Sequence, residues 1–122
     1  MITNRLSVAR SRMRQGEIWS ANLDPTKGSE QAGKRPVVII SGDTLNNTLP
    51  IVIVVPITSK IKSYPTCVRL PANKTSGLTK ESEAIPFQIR AVAKNRLTKQ
   101  IGSITNNELR EILQGLFLAL TH

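Results

Sequence analysis

This sequence has one cysteine, one histidine and very few aromatic residues, and each scarcity closes off a kind of chemistry. A lone Cys67 cannot form an internal disulfide or a multi-cysteine zinc site. It sits in "TCVRL", which alternates like a strand, so a small buried hydrophobe is its expected role. The only histidine, His122, is the last residue, which leaves no basis for histidine acid–base catalysis or a histidine-rich metal site. Aromatics make up 3% of the 122 residues, so the core must be built from Val, Ile and Leu. Long hydrophobic runs are missing too. The longest, "PIVIVVPI" at 50–57, is strand length and well short of the ~20 residues of a membrane helix. The start, "MITNRLSVARSR", lacks an apolar signal core. The expectation is a cytoplasmic protein with a flexible basic arm over residues 1–12 and a single domain over 13–122.

Acidic residues are also scarce. Lys and Arg number 17 against 8 Asp and Glu, a net charge of +9, and no acid lies between Asp43 and Glu81. Such a balance speaks about partners rather than fold. Clustered cations release counterions from phosphates, so nucleic acid leads, with a basic protein that binds nothing specific as the plain alternative.

What is present reads as short strands closed by one helix. "EIWSANL" (17–23) alternates, with Trp19, Ala21 and Leu23 on one face. A polar loop with Gly28 and Gly33 follows, then "PVVIIS" (36–41), with Pro36 at its first position. "GDTLNN" is expected to turn the chain. "PIVIVVPIT" (50–58) is apolar on both faces, as in a barrel, and Pro56 marks an edge or bulge. "YPTCVRL" (64–70) and "EAIPFQIRAV" (83–92) are expected strands, "AKNRL" a helical turn, and "KQIGSI" (99–104) the last strand. Thr105 and Glu108 form a capping box. Leu109, Ile112, Leu113, Leu116, Phe117 and Leu120 then make one apolar stripe, expected to cover the sheet. The fold class is mostly β, a small barrel with a C-terminal amphipathic helix.

Two polar stretches adjoin apolar strands: the loop carrying Glu30, Gln31, Lys34 and Arg35, and the Thr58-Ser59-Lys60 that ends the third strand. RNA cleavage by the substrate's own 2′-hydroxyl needs a base, a group to hold the phosphate as it gathers charge, and a further hydrogen-bond donor. It needs no metal, because the nucleophile belongs to the substrate. Glu30, Arg35 and Thr58 offer those functions. Arg35, always protonated, suits charge stabilisation better than proton donation. On residue types alone, the trio equally fits solvated loop residues and a strand-end threonine.

The motif read whole is more specific. "GEIWSANLDPTKGSEQAGKRPVVIIS" (16–41) resembles the opening of the MazF/PemK (Kid) toxin family, in which a D-P-x-x-G-[SH]-E-Q-x-G-x-R-P loop enters an aliphatic strand. "LNN" (45–47), "VVPITSK" (54–60), "SYP" (63–65) and Gln88-Ile89-Arg90 extend the likeness to nearly the whole chain from Met13 to about Leu120. The resemblance implies an SH3-like barrel and a homodimer. It further implies a toxin of a type II toxin–antitoxin pair that cuts single-stranded RNA without metal or other cofactor and leaves a 2′,3′-cyclic phosphate. The implied second partner is an acidic antitoxin segment that competes with RNA for one basic surface. Carried onto this chain, the catalytic Arg is Arg35, the catalytic Thr is Thr58, and the Glu proposed to act in some members is Glu30. Gln31, Lys34, Ser59, Lys60, Lys62 and Gln88 are the expected RNA-binding residues.

The sequence departs from the pattern it resembles in two places. Ser29 stands where some members have His, and "AIPF" (84–87) stands where Kid-like members place an Arg and an Asp before Q-x-R. Neither role transfers. Two other readings fit the same barrel: a gyrase poison of the CcdB type, disfavoured because the chain ends "FLALTH" without a tryptophan, and a non-catalytic RNA- or DNA-binding regulator.

Overall fold

The computed structural model describes residues 13–23 and 33–122. Seven antiparallel strands form one curled sheet: β1 (Glu17–Asn22), β2 (Lys34–Ile39), β3 (Ile51–Thr58), β4 (Val68–Leu70), β5 (Ser82–Ala84), β6 (Arg90–Ala93) and β7 (Leu97–Ser103). Their order is β4-β5-β3-β2-β1-β7, with β6 also on β3. A short helix α1 (Asp43–Thr48) joins β2 to β3, where a turn was expected, and α2 (Asn106–Thr121) closes the chain. Register shifts after Ile18 and Ser20 bend β1 against β7, which helps the sheet curl.

The aliphatic run of β3 is explained by burial on both sides. Val52 and Val54 join Val37, Ile39, Ala21, Val92 and Leu97 in one cluster. Val55 and Ile57 join Val38, Ile40, Ile18 and Ala84 in the other, where Ile112 of α2 also packs. Alternation along β2 and β3 therefore sends successive residues to different cores.

Two expected strands are shorter in the structure. The fifth, expected over 83–92, is broken into β5 and β6 by a 3₁₀ turn at Pro86–Gln88. The cause is visible on β3. β6 pairs with its Ile51–Val54 end and β5 with Ile57–Thr58, so the switch falls at Pro56, which has no amide to offer. Its carbonyl instead accepts the Ile85 amide at 3.0 Å. The fourth strand spans only Val68–Leu70. Residues 64–67 form a turn, closed by the Cys67 amide on the Tyr64 carbonyl at 3.1 Å, with Thr66 at φ 75°. Cys67 is therefore a half-buried turn residue rather than a core strand residue. Burial, and then the Glu83 charge, push its thiol above its ordinary pKa, which disfavours the reactive thiolate.

The capping box is present. Thr105 Oγ1 accepts the Glu108 amide at 3.1 Å, and Glu108 Oε1 accepts the Thr105 amide at 2.9 Å. The stripe behind it divides. Ile112 is buried and Leu109 and Leu116 pack on the core, whereas Leu113, Phe117 and Leu120 are exposed. A helix covering the sheet would have buried all six; α2 buries only one side of its stripe. It lies close against the 64–67 turn at Gly115, where an added Cβ would be 2.5 Å from the Thr66 carbonyl oxygen. Gly115→Ala should gain about 1 kcal/mol in helix propensity but lose more by forcing helix and turn apart, for a net destabilisation of about 1–2 kcal/mol. Thermal unfolding checks the sign.

Candidate active site

The two strands that carry the site part company at a pair of prolines. The β2–β3 ladder pairs Ile39 with Val54, Val38 with Val55 and Val37 with Pro56, and stops there. Ile40 donates its amide to Ile53 of β3, so by alternation Pro36 also faces β3, and it lacks the amide that would carry the ladder further. Continuing the register two residues brings Arg35 opposite Thr58. Both share the face of Val37 and Val54, so the face that builds an aliphatic core turns polar where the strands separate. On the other edge of β3, Thr58 pairs with Glu83 of β5, and Glu83 pairs with Arg69 of β4. A row of cross-strand neighbours thus runs from β2 to β4 as Arg35, Thr58, Glu83 and Arg69.

Two open depressions meet on this row. One, of about 290 Å³, is lined by Arg35, Thr58, Lys60, Lys62, Glu83 and Gln88, among others. The second, of about 560 Å³, lies between Leu23, Arg35, Pro56, Ile89, Arg90 and Gln88. Arg35 and Gln88 belong to both, so the two halves form one groove with Arg35 in its middle. Tyr64 and Phe87, both about half exposed, wall the smaller half, with their ring centroids 6.3 Å apart and tilted by 51°.

Local chemistry explains how each group is held. Thr58 Oγ1 accepts the Lys60 amide at 3.0 Å, which orients the hydroxyl and leaves its proton to donate outward. Arg35 forms no ion pair among the described residues, unlike Arg69, which meets Glu81 at 3.1 Å on the surface. The Arg35 guanidinium is thus free, within that set, to meet an incoming anion. Leu23, which lines the larger depression, donates its amide to the Gly33 carbonyl at 2.7 Å. Among the described residues no group of three His, Cys, Asp or Glu could hold a metal ion.

Of the residues singled out from sequence, Arg35, Thr58, Lys60, Lys62 and Gln88 come together. Lys34 is exposed at the start of β2, paired with Asn22, and lines neither depression; nor does Ser59. Glu30 and Gln31 lie outside the described residues. Sequence reasoning missed Glu83, Phe87 and Arg90. Phe87 and Glu83 were hidden in a stretch taken for one continuous strand, and the pairing that sets Glu83 beside Thr58 spans 25 residues of chain.

A curled sheet with a cationic, aromatic-walled groove has the make-up of a class of small proteins that take single-stranded nucleic acid, and an arginine and a threonine in one depression are chemically suited to a phosphate. The comparisons agree with that class and narrow it. Residues 14–120 match the PemK-like, MazF-like toxin of type II toxin-antitoxin system family, and the chain belongs to that family. It is 42% identical over 114 residues to endoribonuclease MazF9 of Mycobacterium tuberculosis, spanning 88% of this chain and 96% of that protein. It is 39% identical over 110 residues to endoribonuclease MazF of Staphylococcus saprophyticus, spanning 88% and 91%. A solved mycobacterial endoribonuclease in complex with its cognate antitoxin shares the fold, with a TM-score of 0.73 and 21% identity over 88% of this chain and 93% of that one. The gyrase-poison alternative is not favoured by these matches.

Proposed function

We propose that this toxin cuts single-stranded RNA in the groove centred on Arg35, by attack of a 2′-hydroxyl on the adjacent phosphorus. The observation that carries the reading is that Arg35 and Thr58, each two residues beyond the last pair of the β2–β3 ladder, line one depression. A phosphate seated there meets the guanidinium from one strand and the hydroxyl from the other. As the 2′-oxygen bonds to phosphorus, the non-bridging oxygens gain charge, and donors fixed in advance stabilise them without reorganising. The P–O5′ bond breaks, the 5′-oxygen takes up a proton, and the other product ends in a 2′,3′-cyclic phosphate. Glu30 is the proposed base for the 2′-hydroxyl proton. Gln31, Lys34 and Ser59 remain proposed RNA contacts, beside Lys60, Lys62 and Gln88.

The test is digestion of a long single-stranded RNA in EDTA, with analysis of the product ends. Defined fragments ending in cyclic phosphate support the reading; 3′-hydroxyl ends, or cutting only when divalent metal is restored, refute it.

The groove's charge makes a second prediction. Lys60→Ala and Lys62→Ala should each remove one phosphate contact and flatten the slope of log binding constant against log salt by about 0.7. Filter binding of an uncleavable deoxy oligonucleotide at several salt concentrations measures it.

Two partners are proposed on the same grounds. An acidic antitoxin segment suits a chain of net charge +9, and the fold relative is solved with its antitoxin. A second copy of this chain suits the exposed Leu113, Phe117 and Leu120 of α2, which the sheet leaves uncovered. The domain boundary at Met13 is proposed likewise. A chain beginning at Met13 should fold and cleave at the full-length rate, as circular dichroism and an RNA digest would report.

A further inference from the structure

Glu83 is only 2% exposed, in a strand whose three residues are all buried. A carboxylate in such a place must be hydrogen-bonded to persist. Its partners are two successive backbone amides of the loop after β3: Lys62 donates to Oε2 at 3.0 Å and Ser63 to Oε1 at 3.3 Å. Paired amides of this kind bind anions well, and here the anion is the chain's own side chain from 20 residues away.

The loop so held is one that local preference would not hold. Ser63 and Thr66 adopt φ of 55° and 75°, a region non-glycine residues seldom occupy, and least of all β-branched ones. Thr66 Oγ1 is buried without a hydrogen-bond partner. Yet this loop presents Lys60, Lys62 and Tyr64 as one wall of the smaller depression, facing Arg35. The Glu83 bonds supply an anchor midway along it.

We propose that Glu83 is a positioning residue for RNA cleavage: through the amides of Lys62 and Ser63 it fixes the wall on which Lys60 and Lys62 meet the RNA backbone. This rests on the reading of the groove as the site of RNA cleavage. Glu83 stands beside Thr58 in the row, but it is not the base. Both of its oxygens are engaged by amides, and proton abstraction would release the wall at the moment it is needed. Its negative charge, which would repel a phosphate if exposed, is turned toward those two amides.

The experiment uses Glu83→Gln and Glu83→Ala, each alone and combined with Lys62→Ala. Glu83→Gln keeps the size but sets an NH₂ against an amide donor, so it breaks one bond with little change in packing. Backbone amide exchange of the free protein reads the anchor without RNA. The Lys62 and Ser63 amides should exchange about tenfold faster in Glu83→Gln, while those of Val38 and Val54 keep the wild-type rate. Cleavage of an RNA oligonucleotide that the wild type cuts reads the consequence. KM should rise about tenfold with kcat within about threefold, and Lys62→Ala should add little in the Glu83→Gln background. Unchanged exchange at Lys62 and Ser63 overturns the proposal. So does a fall in kcat of about a hundredfold or more at constant KM, which would make Glu83 the base, or full additivity of the Lys62 and Glu83 variants. If Glu83→Ala does not fold, Glu83→Gln carries the test. A wild type that cuts no RNA fails the reading of the groove, while the exchange data still judge the anchor.

Discussion

Arg35→Lys lowers kcat/KM for RNA cleavage by about 10²–10³-fold while thermal stability stays within about 0.5 kcal/mol of wild type. The two halves of that expectation have different causes. Arg35 is exposed and forms no ion pair among the described residues, so among them its removal leaves no buried partner stranded. Its backbone pairing with Ala21 in the β1–β2 ladder survives the change. What is lost is geometry. A guanidinium offers a planar fork that can hold two phosphate oxygens at once; an ammonium offers a mobile point charge. Binding, which depends mostly on total charge, should fall by less than about tenfold, because net charge is unchanged. A large loss in kcat with a small loss in affinity therefore separates transition-state stabilisation from simple attraction. Steady-state kinetics and binding of a deoxy oligonucleotide give the two numbers.

Thr58→Ala is the second large effect, a loss of about 10²–10³-fold in kcat, and Thr58→Ser should recover most of it. The hydroxyl, not the methyl, is the working group. Its oxygen already accepts the Lys60 amide, which fixes its direction and spares its proton for the phosphate. Serine can make the same turn, though it is freer about χ1, so a residual loss of a few-fold is expected. Alanine removes the outward donor and frees the Lys60 amide at once. The alanine variant should thus also raise KM, through Lys60, and by more than the small rise expected for Arg35→Lys.

How much of this was legible in the chain depends on what each residue's role requires. Local chemistry was readable. Thr105 and Glu108 cap α2 because a capping box needs only a spacing of three. The apolar run of β3 implied burial on two faces, which holds; Pro56 implied an edge or bulge, whereas β3 is an interior strand that changes partner from β6 to β5 there. Arg35 and Thr58 could be chosen from the motif as a whole, but that they stand opposite each other follows from the register of Val37 with Pro56, which no local pattern encodes. Glu83 was not legible at all. It sits in a stretch read as one strand, and its significance comes from amides 20 and 21 residues away. The same misreading hid the turn at Pro86–Gln88 that brings Phe87 and Gln88 over the groove. Helix α2 was misjudged for a related reason. Periodicity finds an apolar stripe, but that Leu109, Ile112 and Leu116 are the part that packs on the core is a tertiary fact.

The central claim is that Arg35 and Thr58 act together on one phosphate. Single-turnover cleavage of one RNA oligonucleotide by the wild type, Arg35→Ala, Thr58→Ala and the double variant tests it most directly. Groups that act as a unit are strongly non-additive, so the double variant should cleave within about tenfold of the slower single variant. Losses that multiply in the double variant, or either single variant cleaving at the wild-type rate, would contradict it.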